Sequence, residues 1–130
     1  MILLASDTET KPSTDMRQAM VSAEVGDEQK GQDPTVNNLL DRVCDLLGKE
    51  ASIFLPTGTM CNLVSIKAHT HPGEVVLADQ MSHILRAESG GSPLASGIQV
   101  EAIPCERGIF TAKDLEEAYC RVQAVPYPYG

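Results

Sequence analysis

"EASIFLPTGTMCNLVSIKAH", residues 50–69, runs from a short apolar segment through Pro56-Thr57-Gly58-Thr59 into an amphipathic one, with no charge at the join. Residues 51–55 read as a short strand, residues 56–58 as a turn and residues 59–69 as a helix. A strand that delivers Gly and Thr to a helix start gathers unpaired backbone N–H groups, the positive end of the helix dipole and a hydroxyl at one point. Such a point suits a phosphate. Gly58 lets the backbone come close, and Thr59 can donate through both main chain and side chain. The alternative makes Thr57 or Thr59 a plain N-cap beside a tight glycine turn, and these residues alone favour it.

The flanking sequence repeats the alternation of strand and helix. Toward the N-terminus, Asp33 and Pro34 stand as N-cap and first residue of a helix whose apolar positions are Val36, Leu39, Leu40, Val43, Leu46 and Leu47, with Gly48 as its stop. Before it, residues 12–25 read as a helix with Pro12 at or near its first turn and Met16, Met20 and Val21 on one face; "VGDEQKGQD" breaks it. Toward the C-terminus, a His-Pro-Gly turn leads to a strand at "EVVLA", then a loop and short helix around "DQMSHILRAESGG", a strand at "IQVEAIP", and a helix at "TAKDLEEAYCRV" with Thr111 as N-cap and Asp114 in its first turn. The expected fold class is therefore α/β, a mostly parallel sheet of alternating strands and helices behind an N-terminal arm. Three parts are expected: arm and helix over residues 1–31, the sheet-bearing part over 32–122, and a tail over 123–130 holding two prolines and two tyrosines.

Composition narrows the function. The 42% hydrophobic fraction is globular, but with no Trp, two Phe and three Tyr the core must come from aliphatic side chains. A net charge of -8 argues against nucleic acid or an anionic membrane as partner, because both need clustered Lys and Arg. The four cysteines form no C-x-x-C pair; Cys44, Cys61 and Cys120 fall inside apolar-periodic runs, where buried reduced thiols are expected. No stretch is long enough to span a bilayer, and the N-terminus turns polar too early for a signal-peptide core. A cytoplasmic location is expected, with a mitochondrial one left open. The P-loop, G-x-G-x-x-G and G-x-S-x-G patterns are missing. His69, His71 and Cys61 do not have the spacing of a metal site. His83, in the loop that follows the second strand, would come to the same sheet edge as Gly58 and Thr59; one loop histidine is otherwise an ordinary surface or capping residue.

The motifs D-P-T-V-N (33–37), L-G-K-E-A (47–51), P-T-G-T-M-x-N (56–62) and S-H-I (82–84), in this order and spacing, resemble the N-terminal part of the low-specificity threonine aldolases. These are pyridoxal-phosphate enzymes of the aspartate-aminotransferase group, fold type I. The resemblance runs over nearly all of residues 6–118, and it implies a partial large domain of that fold. It also implies a reversible cleavage of L-threonine or L-allo-threonine to glycine and acetaldehyde, with the cofactor carrying the hard chemistry. By the same resemblance Gly58 and Thr59 bind the cofactor phosphate, His83 stacks on the pyridine ring as the catalytic-site histidine, and Ser6 meets the substrate carboxylate. The segment from Asp33 to Asn37 lies near the subunit interface of a homo-oligomer.

Three positions depart from the family pattern: Ala5 replaces an arginine, Lys30 a tyrosine that reaches a neighbouring subunit, and Glu9 a small apolar residue. The cofactor-linking lysine, the aspartate facing the pyridinium nitrogen, a second histidine and the carboxylate-binding arginines have no counterpart in the matched region. Lys11, Lys30, Lys49, Lys67 and Lys113 match none of these. The expectation is a truncated, inactive form or fragment. The alternatives are a non-catalytic isoform that docks on or regulates a full-length subunit, and a β-eliminating lyase relative.

Overall fold

The computed structural model describes residues 2–124, in two compact units, Met1–Phe54 and Leu55–Gly130. The expected tail lies mostly outside the described residues.

The first unit is built on local capping. Ser6 heads a 3-10 turn, Asp7–Glu9, and helix α1 spans Thr14–Ser22. Its cap is Ser13, whose hydroxyl accepts from the Met16 N–H at 3.2 Å, so Pro12 stands outside the helix and the expected start at Pro12 is corrected. A hydroxyl that can satisfy an orphan donor takes the cap from a proline, which offers no side-chain acceptor. Helix α2, Pro34–Leu47, matches its expected limits, with Gly48 in the left-handed conformation at its end (φ 62°).

The start of α2 shows what the D-P-T-V-N motif does locally. Asp33 accepts from the Val36 N–H at 2.9 Å through one oxygen and from the Gly26 N–H at 3.0 Å through the other. Thr35 donates to the Glu24 carbonyl at 2.6 Å, and Asn37 to the Gly31 carbonyl at 2.8 Å. Three polar side chains of one helix turn thus hold the preceding loop closed. Gly26 is required there, since a Cβ would lie 2.1 Å from the Gln32 carbonyl oxygen.

Residues 51–55 are extended but form no strand. A strand exists through its ladder, and no described segment pairs with this one; Ile53 is 72% exposed. Ser52 instead donates to the Leu40 carbonyl at 2.9 Å. The expected strand at this point, and the β-α-β unit it would open, are corrected.

The second unit carries the sheet. Helix α3, Gly58–His69, precedes strand β1, Val75–Asp79, which pairs in parallel with β2, Gln99–Ile103, in register from Val75 opposite Gln99 to Asp79 opposite Ile103. Two short helices connect them, α4 (His83–Arg86) and α5 (Gly91–Ser96). Helix α5 was not expected from the sequence; Pro93 sits in its first turn, where a missing N–H costs nothing. Gly97 ends it at φ 67°, and its Cα lies so close to Pro72 that a Cβ would come to 3.1 Å, so the site excludes side chains twice over. Helix α6, Ala112–Gln123, has the expected Thr111 cap completed by Asp114 into a capping box.

The architecture is α/β with a parallel pair, as expected. Its buried apolar centre consists of Ile98, Ile103, Ala118 and Val122, contributed by β2, its approach and α6. Among the described residues no helix is long and apolar enough to cross a membrane.

Thr111→Ala removes one cap and should cost about 1 kcal/mol. Asp33→Ala should cost more, because it orphans two N–H groups. The N–H of Val36 and then that of Gly26 hold the Asp33 carboxyl below its ordinary 3.8. Its stabilisation is therefore present above 3.8 and lost as pH falls through the depressed value. Urea unfolding of both variants between neutral and acid pH checks the ranking and should show a shallower acid loss for Asp33→Ala.

Candidate functional site

The start of α3 holds the first component. Gly58, Thr59 and Met60 are its first three residues, and all are exposed. Thr57 is the N-cap: its hydroxyl accepts from the Met60 N–H at 3.1 Å and its carbonyl from the Cys61 N–H at 3.0 Å. Thr57 is thus the N-cap that the residues alone favour, and the Met60 N–H is not free. The N–H groups of Gly58 and Thr59 have no partner among the described residues, and neither has the Thr59 hydroxyl. Gly58 does not need a left-handed backbone, and a Cβ there would meet nothing within 4 Å. Two donors, a hydroxyl and open space converge at the positive end of a three-turn helix.

The second component is the loop after β1. Asp79 ends the strand and uses its carboxylate to shape the loop, accepting from the Met81 N–H at 2.9 Å and from the Cys105 thiol at 2.5 Å. The Arg86 guanidinium donates to the Gln80 carbonyl at 2.7 Å. His83 then emerges as the first residue of α4, after Ser82, whose hydroxyl makes no capping bond.

A buried carboxylate joins the two components. Glu88 Oε1 lies 2.8 Å from His83 Nδ1 and accepts from the Asn62 side-chain amide at 2.6 Å. Asn62 stands four residues after Gly58 and three after Thr59, on the face of α3 that they share. The Glu88 side chain is 0% exposed, while that of His83 is 62% exposed. Hydrogen bonds from Asn62, then from His83, hold the Glu88 carboxyl below its usual range against the opposing effect of burial.

Glu88 and Asn62 were missed as site residues in the sequence. Both lie inside the motif stretches, Asn62 closing P-T-G-T-M-x-N and Glu88 standing in "RAESGG", but no spacing rule pairs residues 26 apart. Ser6 belongs to the first unit. Its hydroxyl accepts from the Thr8 N–H at 3.3 Å, lies 2.8 Å from the Thr8 hydroxyl, and is exposed. Lys30, where the family pattern has tyrosine, sits in a 3-10 turn and pairs with Asp27 at 3.0 Å.

The thiols differ from expectation. Cys61 and Cys120 are exposed and Cys44 half-buried, because the described helices leave much of their apolar surface uncovered. Cys105 is the one with a specific partner: the Asp79 carboxylate raises its pKa from 9.0 to about 11.

A comparison with known families finds that the profile described as beta-eliminating lyase matches residues 4–128. Among curated proteins, the low specificity L-threonine aldolase of Escherichia coli K12 is 48% identical over 103 residues, 79% of this chain and 31% of that protein. The probable low-specificity L-threonine aldolase 2 of Arabidopsis thaliana is 44% identical over 105 residues, covering 79% and 29% of the two chains. The low specificity L-threonine aldolase of Saccharomyces cerevisiae is 31% identical over 118 residues, covering 89% and 30%. The chain spans about a third of the length of the curated relatives it matches.

Only the thiolate attacks an alkylating agent. Iodoacetamide at mildly alkaline pH should therefore modify Cys61 and Cys120 well before Cys105, and Asp79→Asn should bring Cys105 forward. Peptide mapping over time reads the order.

Proposed function

The chain belongs to the beta-eliminating lyase family, and from that membership we propose that it supplies the phosphate cup and ring-facing histidine of a pyridoxal-phosphate enzyme that cleaves L-threonine or L-allo-threonine to glycine and acetaldehyde. The observation that carries this reading is the pairing of two unpartnered N–H donors at Gly58 and Thr59 with a histidine anchored to the same helix through Glu88 and Asn62. The residues present fit the group: open space beside Gly58 leaves room for a phosphate, and an exposed flat ring stands at the other end of the bridge.

The N–H groups of Gly58 and Thr59, with the Thr59 hydroxyl, would hold the phosphate through charge-assisted hydrogen bonds. The imidazole of His83 would lie against the pyridine ring and keep water from that face. Ser6 would receive the substrate carboxylate. When bound, pyridoxal phosphate supplies the electron sink for the carbanion left by breaking the Cα–Cβ bond.

The phosphate cup alone does not make a catalyst. The chemistry also needs a lysine to hold the cofactor covalently, and none of the five in this sequence matches that role in the family pattern; all are exposed, and Lys30 and Lys113 are in ion pairs. A polypeptide of these 130 residues is therefore expected to release no acetaldehyde from L-allo-threonine. The implied enzyme is a homo-oligomer acting on a small amino acid.

Pyridoxamine 5'-phosphate is the direct probe, because it carries the phosphate and the ring but cannot condense with surface lysines. It should bind the chain, and Gly58→Ala, which fills the open space, should weaken it tenfold or more, about 1.4 kcal/mol, without lowering the unfolding midpoint. Equal affinity in the two proteins would overturn the phosphate cup. Borohydride reduction after adding pyridoxal phosphate should leave no single lysine stoichiometrically labelled.

A further inference from the structure

Resting on the cofactor reading for its use but not for its test, we propose that Glu88 is a positioning residue that fixes His83 as the Nδ1–H tautomer and so presents Nε2 as a proton acceptor at the site. The geometry gives the assignment directly. A carboxylate has only acceptors to offer, so the ring nitrogen 2.8 Å from Glu88 Oε1 must carry a hydrogen. In a neutral imidazole the other nitrogen then holds a lone pair. Nε2 has no hydrogen-bond partner among the described residues, on a side chain that is largely exposed.

Stability alone does not explain this carboxylate. The second oxygen of Glu88 is buried and unpartnered, a costly state for a charged group. A glutamine of the same shape could accept from Asn62 without burying a charge. The next residue, Ser89, is a non-glycine at φ 52°, followed by Gly90 at φ 76°, and the Gly91 N–H donates back to the Glu88 carbonyl at 2.9 Å. Backbone strain of this kind collects where a side chain must be aimed. The turn drives the carboxylate inward, Asn62 fixes its oxygen, and the charge acts on the one titratable group it touches, His83. A proton taken up at Nε2 leaves an imidazolium whose charge Glu88 opposes directly.

The test uses the chain with ¹⁵N-labelled histidine and no cofactor, at a pH where its three histidines are neutral. Two-bond ¹H–¹⁵N correlations distinguish the tautomers, and His83→Asn assigns the signals. His83 should show Nδ1 as the protonated nitrogen and Nε2 as the bare one. In Glu88→Leu, which removes the acceptor, the pattern should shift toward Nε2–H, the form favoured in free histidine, while the signals of His69 and His71 stay in place and report an intact fold. A wild-type His83 in the Nε2–H form, or an unchanged Nδ1–H form in Glu88→Leu, would overturn the proposal. Should Glu88→Leu fail to fold, the wild-type spectrum decides alone. Gly58→Ala must leave the His83 pattern untouched whether or not it weakens pyridoxamine phosphate, so failure of the phosphate cup and failure of the tautomer lock are separate results.

Discussion

One oxygen atom, Glu88 Oε1, accepts from α3 through Asn62 and from α4 through His83. The helix start that offers free N–H groups and the loop that offers an imidazole are otherwise built independently: one by its own Thr57 cap, the other by Asp79 at the end of β1. Only a buried acceptor with two lone pairs on one atom can take both donors at hydrogen-bond distance. The depressed pKa of Glu88 follows from this arrangement, and so does the demand that its two donors stay in place. An unpaired carboxylate at zero exposure would cost several kcal/mol.

In the first unit, order rests on hydrogen bonds, because none of its described apolar residues is buried. The buried apolar residues are Ile98, Ile103, Ala118 and Val122, whereas α1 keeps Met16, Met20 and Val21 more than half exposed. The first unit is ordered by short polar contacts instead: the Ser6 and Ser13 caps, and the grip of Asp33, Thr35 and Asn37 on the loop before α2. In the second unit, the sheet gains its shape from the two-strand register and from α6 lying over it.

What the sequence revealed follows from the range of the forces involved. Asp33-Pro34, Gly48 and the Thr111–Asp114 box were legible because capping acts within one helical turn. The helix start at Gly58 and Thr59 was legible for the same reason, with Thr57 as its cap. The segment at 51–55 was misread because its alternation is only half of a strand; the other half is a partner. Helix α5 was hidden behind a proline and two glycines that usually signal a loop. Glu88 and Asn62 escaped because their relation exists only once α3 and the post-β1 loop have met. Burial of the cysteines was misjudged for a related reason: periodicity tells which face of a helix is apolar but not whether anything lies against it.

The register of the parallel pair has a kinetic side. Val75 meets Gln99, so the first ladder bond requires a loop of roughly two dozen residues to close, at an entropic cost that grows only with the logarithm of its length. That loop is not slack: it contains α4, the left-handed turn at Ser89–Gly90 and α5, each formed from near neighbours in the chain. Every one of these shortens the effective distance between the strand ends before they pair. The segment that carries His83 and Glu88 is thus also the closing arm of the sheet, and loosening its turns raises the entropy that must be given up before the two strands pair.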